Sequence, residues 1–112
     1  IKIYHNPRCR KSRETLEIVR QAGHEPEIIE YLQTPPSETE LKDMLRKMDK
    51  KPEEIIRKGE DIFKSNFKGK SFTDDKWINI LVENPKLIER PIVINGDKVA
   101  LGRPPENVKT IL

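Results

Sequence analysis

The fold is decided by residues 1–32, IKIYHNPRCRKSRETLEIVRQAGHEPEIIEYL. Their apolar pattern is typical first of a strand, then of a helix and then of a second strand. Ile1 to Tyr4 is a short apolar stretch that predicts a strand, and Asn6-Pro7 ends it. Apolar residues then recur at helical spacing until Gly23; they are Leu16, Val19 and Ala22. Glu27 to Leu32 predicts a second strand. The stretch therefore predicts a β-α-β unit with parallel strands and a right-handed crossover.

Residues 37 to 84 are predicted to form a helical insertion. Ser37 and Glu40 have the spacing of a capping box before an apolar helical run. Pro52 and Gly59 bracket a short second helix, and Thr73, followed by two aspartates, starts a third.

The carboxyl-terminal part of the chain predicts a hairpin and a last helix. Asn95-Gly96-Asp97 is a strong turn signal, and it is flanked by Pro91–Ile94 and Lys98–Leu101. Pro104 and Pro105 then start a terminal helix. The element order predicts an α/β fold of thioredoxin-like plan, in which a four-stranded mixed sheet carries flanking helices and the insertion.

Length, net charge and cysteine count indicate the general class of protein. The 112 residues suit one domain, which we assign to residues 1–112. Lys and Arg number 22 against 19 Asp and Glu, and because the net charge of +3 is spread along the chain, we predict no binding to nucleic acid. A single cysteine and the lack of a long apolar segment predict a cytoplasmic protein without a membrane span. We expect no metal ion or other bound cofactor.

Cys9 is the main candidate for chemistry. It is predicted at the carboxyl end of the first strand and at the start of a helix, where backbone N–H groups and the helix dipole stabilise an anion. Four cations surround it in sequence: Arg8, Arg10, Lys11 and Arg13. They add to the predicted stabilisation of a thiolate, although a lone cysteine can also be a small apolar core residue. The same groups would attract an oxyanion substrate.

The residues after Cys9 narrow the type of thiol chemistry. Ser12 stands where a Cys-x-x-Cys motif has its second thiol, so an external thiol must resolve any adduct on Cys9. A phosphatase-type Cys-x5-Arg loop is absent, because Thr15 occupies the arginine position.

Four sequence blocks resemble the glutaredoxin-dependent arsenate reductase family. In chain order they are His5-Asn6-Pro7-x-Cys9 with Ser12-Arg13, Tyr31-Leu32-x-Thr34-Pro35-Pro36, Arg90-Pro91-Ile92-Val93 and Gly102-Arg103-Pro104. The resemblance extends over essentially the whole chain. Those enzymes commonly carry small residues at the positions of Arg10 and Lys11. In this respect the chain resembles a sister branch of the family.

The resemblance implies a thioredoxin-like fold with a helical insertion and an oxidoreductase that converts arsenate to arsenite. It implies that Cys9 attacks arsenate, that glutathione attacks the adduct as co-substrate, and that glutaredoxin completes the reduction. The oxyanion would be held by Arg57, Arg90 and Arg103. His5 and Ser12 would have supporting roles: His5 orients the loop, tunes the thiolate or bonds to backbone, and Ser12 bonds to backbone or to the sulfur. The bond before Pro91 is expected to be cis.

Two other functions fit the same residues. Spx-type regulators share this fold and bind RNA polymerase, but they commonly carry a Cys-x-x-Cys pair. The Cys9-x-x-Ser12 pattern therefore favours the enzyme. A thiol protein that handles glutathione adducts and does not act on arsenate is the other alternative.

Overall fold

The β-α-β unit predicted from the opening residues is present. The structure is a computed structural model that describes residues 1–112. Strand β1 (Lys2–His5) leads into helix α1 (Arg10–Gln21) and then into strand β2 (Glu27–Glu30), which pairs with β1 in parallel. Gly23 has a φ of +92° just after the helix, a conformation that glycine adopts without a steric penalty.

Two more strands complete a mixed sheet. Strand β3 (Ile92–Asn95) pairs with β1 in antiparallel fashion, and strand β4 (Lys98–Leu101) pairs with β3. The strand order is β2-β1-β3-β4. Gly96 has a φ of +62° in the tight turn between β3 and β4, as the Asn-Gly-Asp signal predicts. The predicted four-stranded mixed sheet with flanking helices is therefore confirmed.

The chain divides into two compact units, and the sheet belongs to the first, which comprises Ile1–Pro35 and Arg90–Leu112. Its apolar core joins β1, β3, α1 and a 3-10 helix at Pro105–Ile111. The central residues of this core are Ile3, Leu16, Val19, Val93 and Val108. Each such side chain contributes roughly 1.5–3 kcal/mol when it leaves water, so α1 is fixed on the sheet with Cys9 at its start.

The second unit is Pro36–Glu89 and is mainly helical. Helix α2 (Glu38–Met48) begins with the predicted capping box, in which Glu40 N–H donates to Ser37 Oγ at 3.1 Å and Ser37 N–H donates to Glu40 Oε1 at 2.9 Å. Helix α4 (Asp74–Glu83) begins after Thr73, whose hydroxyl accepts from Lys76 N–H. The assignment of a single domain stays a prediction.

Two helix predictions need correction, and one helix was missed. The segment bracketed by Pro52 and Gly59 forms only a 3-10 turn at Pro52–Ile55, because Ile56 then pairs with Ile88 as an isolated β-bridge. A six-residue helix, α3 (Asp61–Asn66), follows and was not predicted, since six residues are too few for a clear helical period. The terminal helix begins at Pro105 and is 3-10 throughout.

Candidate active site

Hydrogen bonds within the loop after β1 place Cys9 at the start of α1. Asn6 accepts from two backbone N–H groups: its side-chain Oδ1 from Arg8 and its carbonyl oxygen from Cys9, both at 3.0 Å. Cys9 is the N-cap residue of α1, and its carbonyl oxygen accepts from Arg13 N–H at 3.0 Å. The thiol therefore stands over the unpaired N–H groups of the first helical turn, as the sequence predicts.

Cys9 is partly buried, and three groups act on its sulfur. Burial alone would raise the pKa of Cys9. The backbone N–H groups of Ser12 and Lys11 and the guanidinium of Arg90 stabilise the thiolate, and together they hold the pKa of Cys9 below its ordinary value. The site therefore favours a nucleophilic thiolate.

The charged partner of the sulfur is Arg90, which lies far from Cys9 in the sequence. Two of the four neighbouring cations have other contacts: Arg10 Nε forms an ion pair with Glu14 Oε1 at 2.8 Å, and Arg13 Nη1 donates to the carbonyl oxygen of Pro7 at 3.0 Å. From the sequence, Arg90 was predicted only to bind an oxyanion, and its effect on the Cys9 sulfur was missed. Only the strand order, which sets β3 beside β1, brings the two residues together.

His5 and Ser12 are both buried and form one side-chain pair. His5 Nδ1 lies 2.6 Å from Ser12 Oγ, which also accepts from the backbone N–H of Asn6 at 3.1 Å. The Ser12 hydroxyl oxygen therefore connects β1 and the loop to α1. The backbone N–H of Ser12 stabilises the thiolate of Cys9. Of the accounts considered for His5, orientation of the loop fits this geometry, and its bond goes to a side chain instead of to backbone.

Burial lowers the pKa of His5. The carboxylate of Glu30 acts in the opposite direction, and Arg20 and Arg13 lower the pKa further. His5 is thus neutral near pH 7, and the loop keeps its hydrogen bonds without a charged imidazole.

Arg90 interacts through both its side chain and its main chain. Burial would lower the pKa of its guanidinium, but Cys9 and Tyr31 raise that pKa, while Arg103 Nη1 donates to the Arg90 carbonyl oxygen at 3.1 Å. The structure therefore gathers Cys9, Arg90 and Arg103 in the first unit. Tyr31 was not assigned a role, although it belongs to one of the four sequence blocks that suggested the family.

The peptide bond between Arg90 and Pro91 is cis, as expected, and the bond between Arg103 and Pro104 is also cis. Gly102 N–H donates to the Pro91 carbonyl oxygen at 2.9 Å. A Cβ atom at Gly102 would lie 2.7 Å from Thr15 Oγ1 and 2.8 Å from Pro91 Cγ, distances that real structures do not show. Glycine therefore permits the close approach of this segment to α1.

Arg57, the third predicted oxyanion ligand, belongs to the second unit. It follows the bridge at Ile56, and its guanidinium lies 3.6 Å from Glu60 Oε2 through Nη2 and 3.6 Å from Glu89 Oε2 through Nη1. Two carboxylates therefore balance its charge. Its role toward an oxyanion stays a prediction.

Neither a metal cluster nor a spanning helix is found. No three His, Cys, Asp or Glu side chains stand close enough to bind a metal ion together. None of the helices combines the length and the apolar character needed to cross a bilayer.

The contacts of the sulfur lead to a prediction about Cys9 titration. Because its pKa is lowered, the thiolate should persist at pH values where an ordinary thiol, with a pKa of about 8.5, is protonated. The rate of alkylation by iodoacetamide should therefore rise with a midpoint below that value. A midpoint at or above the pKa of a free cysteine peptide, measured in parallel, would contradict this electrostatic picture.

Comparisons with known proteins identify the family of the chain. The model of the ArsC family matches residues 4–111. The uncharacterized protein YfgD of Escherichia coli strain K12 is 45% identical over 114 residues, which cover 100% of this chain and 96% of the relative. An arsenate reductase of Neisseria meningitidis is 38% identical, with 100% and 97% of the two chains covered.

A solved structure shows the same fold. The arsenate reductase from Vibrio cholerae superposes with a TM-score of 0.94 at 42% identity, over 99% of this chain and 96% of the other. The thioredoxin-like fold predicted from the sequence is thereby confirmed. With the family match extending over nearly all residues, the chain belongs to the ArsC family.

Proposed function

We propose that this protein reduces arsenate to arsenite, with Cys9 as the nucleophile and with glutathione and glutaredoxin as the source of electrons. The observation that carries the proposal is the position of Cys9 as the N-cap residue of α1, where the first-turn N–H groups and the Arg90 guanidinium favour the thiolate. Similarity to proteins named arsenate reductase supports the choice of oxyanion.

The first step uses the thiolate. Cys9 Sγ attacks the arsenic atom of arsenate, so an S–As bond forms and one arsenic–oxygen bond breaks, with the oxygen leaving as water after it takes up protons. Backbone N–H groups at the start of α1 and the guanidinium of Arg90 offset the negative charge of the oxyanion. Arg103, which contacts the main chain of Arg90, is proposed to complete the binding of the anion.

The thiol for the second step must come from another molecule, because Cys9 is the single cysteine of the chain. Glutathione replaces a second oxygen on arsenic, and water leaves again. A glutaredoxin thiolate then attacks the glutathione sulfur: an S–S bond forms, the S–As bond breaks, and its electron pair stays on arsenic. Arsenic is reduced from the +5 to the +3 state, and hydrolysis of the Cys9–As bond releases arsenite and the thiol.

The exposed cations beside Cys9 suit the approach of glutathione. Arg8 and Lys11 are exposed and lie within two residues of Cys9 in the sequence, and the stabilisation of the sulfur by side-chain charge comes from Arg90. Glutathione carries two carboxylates, which such cations would attract over roughly a Debye length of 8–10 Å. This charge favours glutathione over a neutral thiol.

A coupled assay tests the proposal. The purified chain is incubated with arsenate, glutathione, glutaredoxin, glutathione reductase and NADPH, and NADPH loss is followed together with arsenite release. We expect arsenate-dependent turnover that ends when either glutathione or glutaredoxin is omitted. Turnover with thioredoxin instead would overturn the glutathione route. Reduction of glutathione mixed disulfides without any arsenite would favour the alternative of a thiol protein that handles glutathione adducts.

A further inference from the structure

Arg57 is a cation of the second unit whose guanidinium lies between two carboxylates. Its Nη2 atom lies 3.6 Å from Glu60 Oε2, and its Nη1 atom lies 3.6 Å from Glu89 Oε2. The Arg57 side chain is 22% exposed, so solutes can reach it. Two carboxylates and one guanidinium give the group a net negative charge, which opposes the binding of a further anion.

Main-chain hydrogen bonds hold both glutamates close to Arg57. The N–H of Arg57 donates to the carbonyl oxygen of Leu87 at 2.7 Å. The N–H of Glu89 donates to the carbonyl oxygen of Ile55 at 2.8 Å, on the same two segments. The N–H of Glu60 donates to the carbonyl oxygen of Arg57 at 3.3 Å. The pairing of the side chains is therefore a consequence of the backbone path.

The nitrogens of Arg57 that an anion can use are the ones beside the carboxylates. The Nε atom is buried and has no hydrogen-bond partner, so an anion from solution must bind through Nη1 or Nη2. Each of these atoms lies farther from its carboxylate oxygen than the roughly 2.7–2.9 Å of a charge-assisted hydrogen bond. The ion pairs are therefore loose. A tetrahedral oxyanion can replace them with the two-pronged contact that suits a guanidinium.

We propose that Glu60 and Glu89 compete with the oxyanion for Arg57. Their carboxylates occupy the two Nη atoms in the substrate-free protein and give them up when the oxyanion binds. The inference rests on the proposed function and on the predicted role of Arg57 as an oxyanion ligand. The two glutamates thereby lower the affinity of the protein for its oxyanion.

Shortening a glutamate to aspartate tests the competition, because the negative charge stays while the reach of the carboxylate falls by one methylene group. Arsenate binding is measured by calorimetry in the Cys9→Ser variant, which cannot form the S–As bond. With Glu60→Asp or Glu89→Asp, we expect the Kd for arsenate to fall roughly two- to fivefold, the range for one partly exposed ion pair. Glu53→Asp, at an exposed glutamate without an ion pair, is the matched control and should leave Kd unchanged.

An Arg57→Ala background separates competition for Arg57 from a general effect on the site. In that background the glutamates have no guanidinium to release, so Glu60→Asp and Glu89→Asp should not change Kd. An equal gain in both backgrounds, or no gain with Arg57 present, would overturn the inference. If Arg57→Ala binds no arsenate at all, the gain or its absence with Arg57 present decides the question.

The two glutamates give independent tests, and both differ from the test of the proposed function. Glu60 is the N-cap residue of α3 and makes no side-chain capping bond there, so shortening it should not unfold the helix. If Glu89→Asp fails to fold, Glu60→Asp still decides the question. If the wild type fails to reduce arsenate, the proposed function is wrong, while the Kd values still show whether the carboxylates compete.

Discussion

Replacing Cys9 with serine should lower arsenate-dependent NADPH consumption to the background of the coupled assay. The hydroxyl is far less acidic than the Cys9 thiol, whose pKa the Arg90 guanidinium and the first-turn N–H groups already lower against burial. An unionised oxygen cannot form the bond to arsenic at a useful rate. Activity of even a tenth of the wild-type value would remove Cys9 from the mechanism.

The same variant should stay folded, which separates chemistry from structure. Cys9 is the N-cap residue of α1 and makes no side-chain capping bond there, whereas serine is among the preferred N-cap residues. Thermal unfolding of Cys9→Ser should therefore occur at or slightly above the wild-type temperature. A large loss of stability would mean that the thiol has a packing role instead.

Local sequence signals were sufficient for most of the first unit and for the start of α2 in the second. The strand-helix-strand pattern, the Asn-Gly turn and the capping box at Ser37 each depend on neighbours within a few residues, and each appears in the structure. The position of Cys9 at the start of α1 follows from the same local pattern. For these features, tertiary packing agrees with local preference.

Features that depend on distant residues were missed. Nothing near Ile56 in the sequence signals that it pairs with Ile88, so a helix was predicted where the backbone forms a bridge. The effect of Arg90 on Cys9 likewise requires the strand order, which places the end of β1 and the start of β3 at the same end of the sheet. A motif marks such residues as a group, but only the fold shows which of them touch.

Arg90→Ala should have the second large effect, because it removes two functions at once. The Cys9 thiolate loses the stabilising charge of the guanidinium, and the pKa of Cys9 should rise. The oxyanion loses a guanidinium worth roughly 1.5–3 kcal/mol, which corresponds to about a ten- to hundredfold lower kcat/KM for arsenate. Titration of thiolate absorbance and steady-state kinetics at two pH values measure the two effects separately. At a pH above the raised pKa, only the loss of oxyanion binding should remain.

Matched variants distinguish this result from a general effect of lost charge. Arg90→Lys should restore activity only in part, since the ammonium is a point charge that cannot reproduce the planar fork of N–H donors in a guanidinium. Arg103→Ala should lower kcat/KM for arsenate roughly ten- to a hundredfold, because the proposal gives Arg103 a guanidinium contact with the oxyanion; it should also loosen the main chain of Arg90. Arg46→Ala, which breaks only an exposed ion pair with Asp43 on α2, is the control and should leave the kinetics unchanged. If folded Arg90, Arg103 and Arg46 variants were equally active, Arg90 would neither bind the anion nor activate the thiol, and thiol chemistry without oxyanion binding would be the better account.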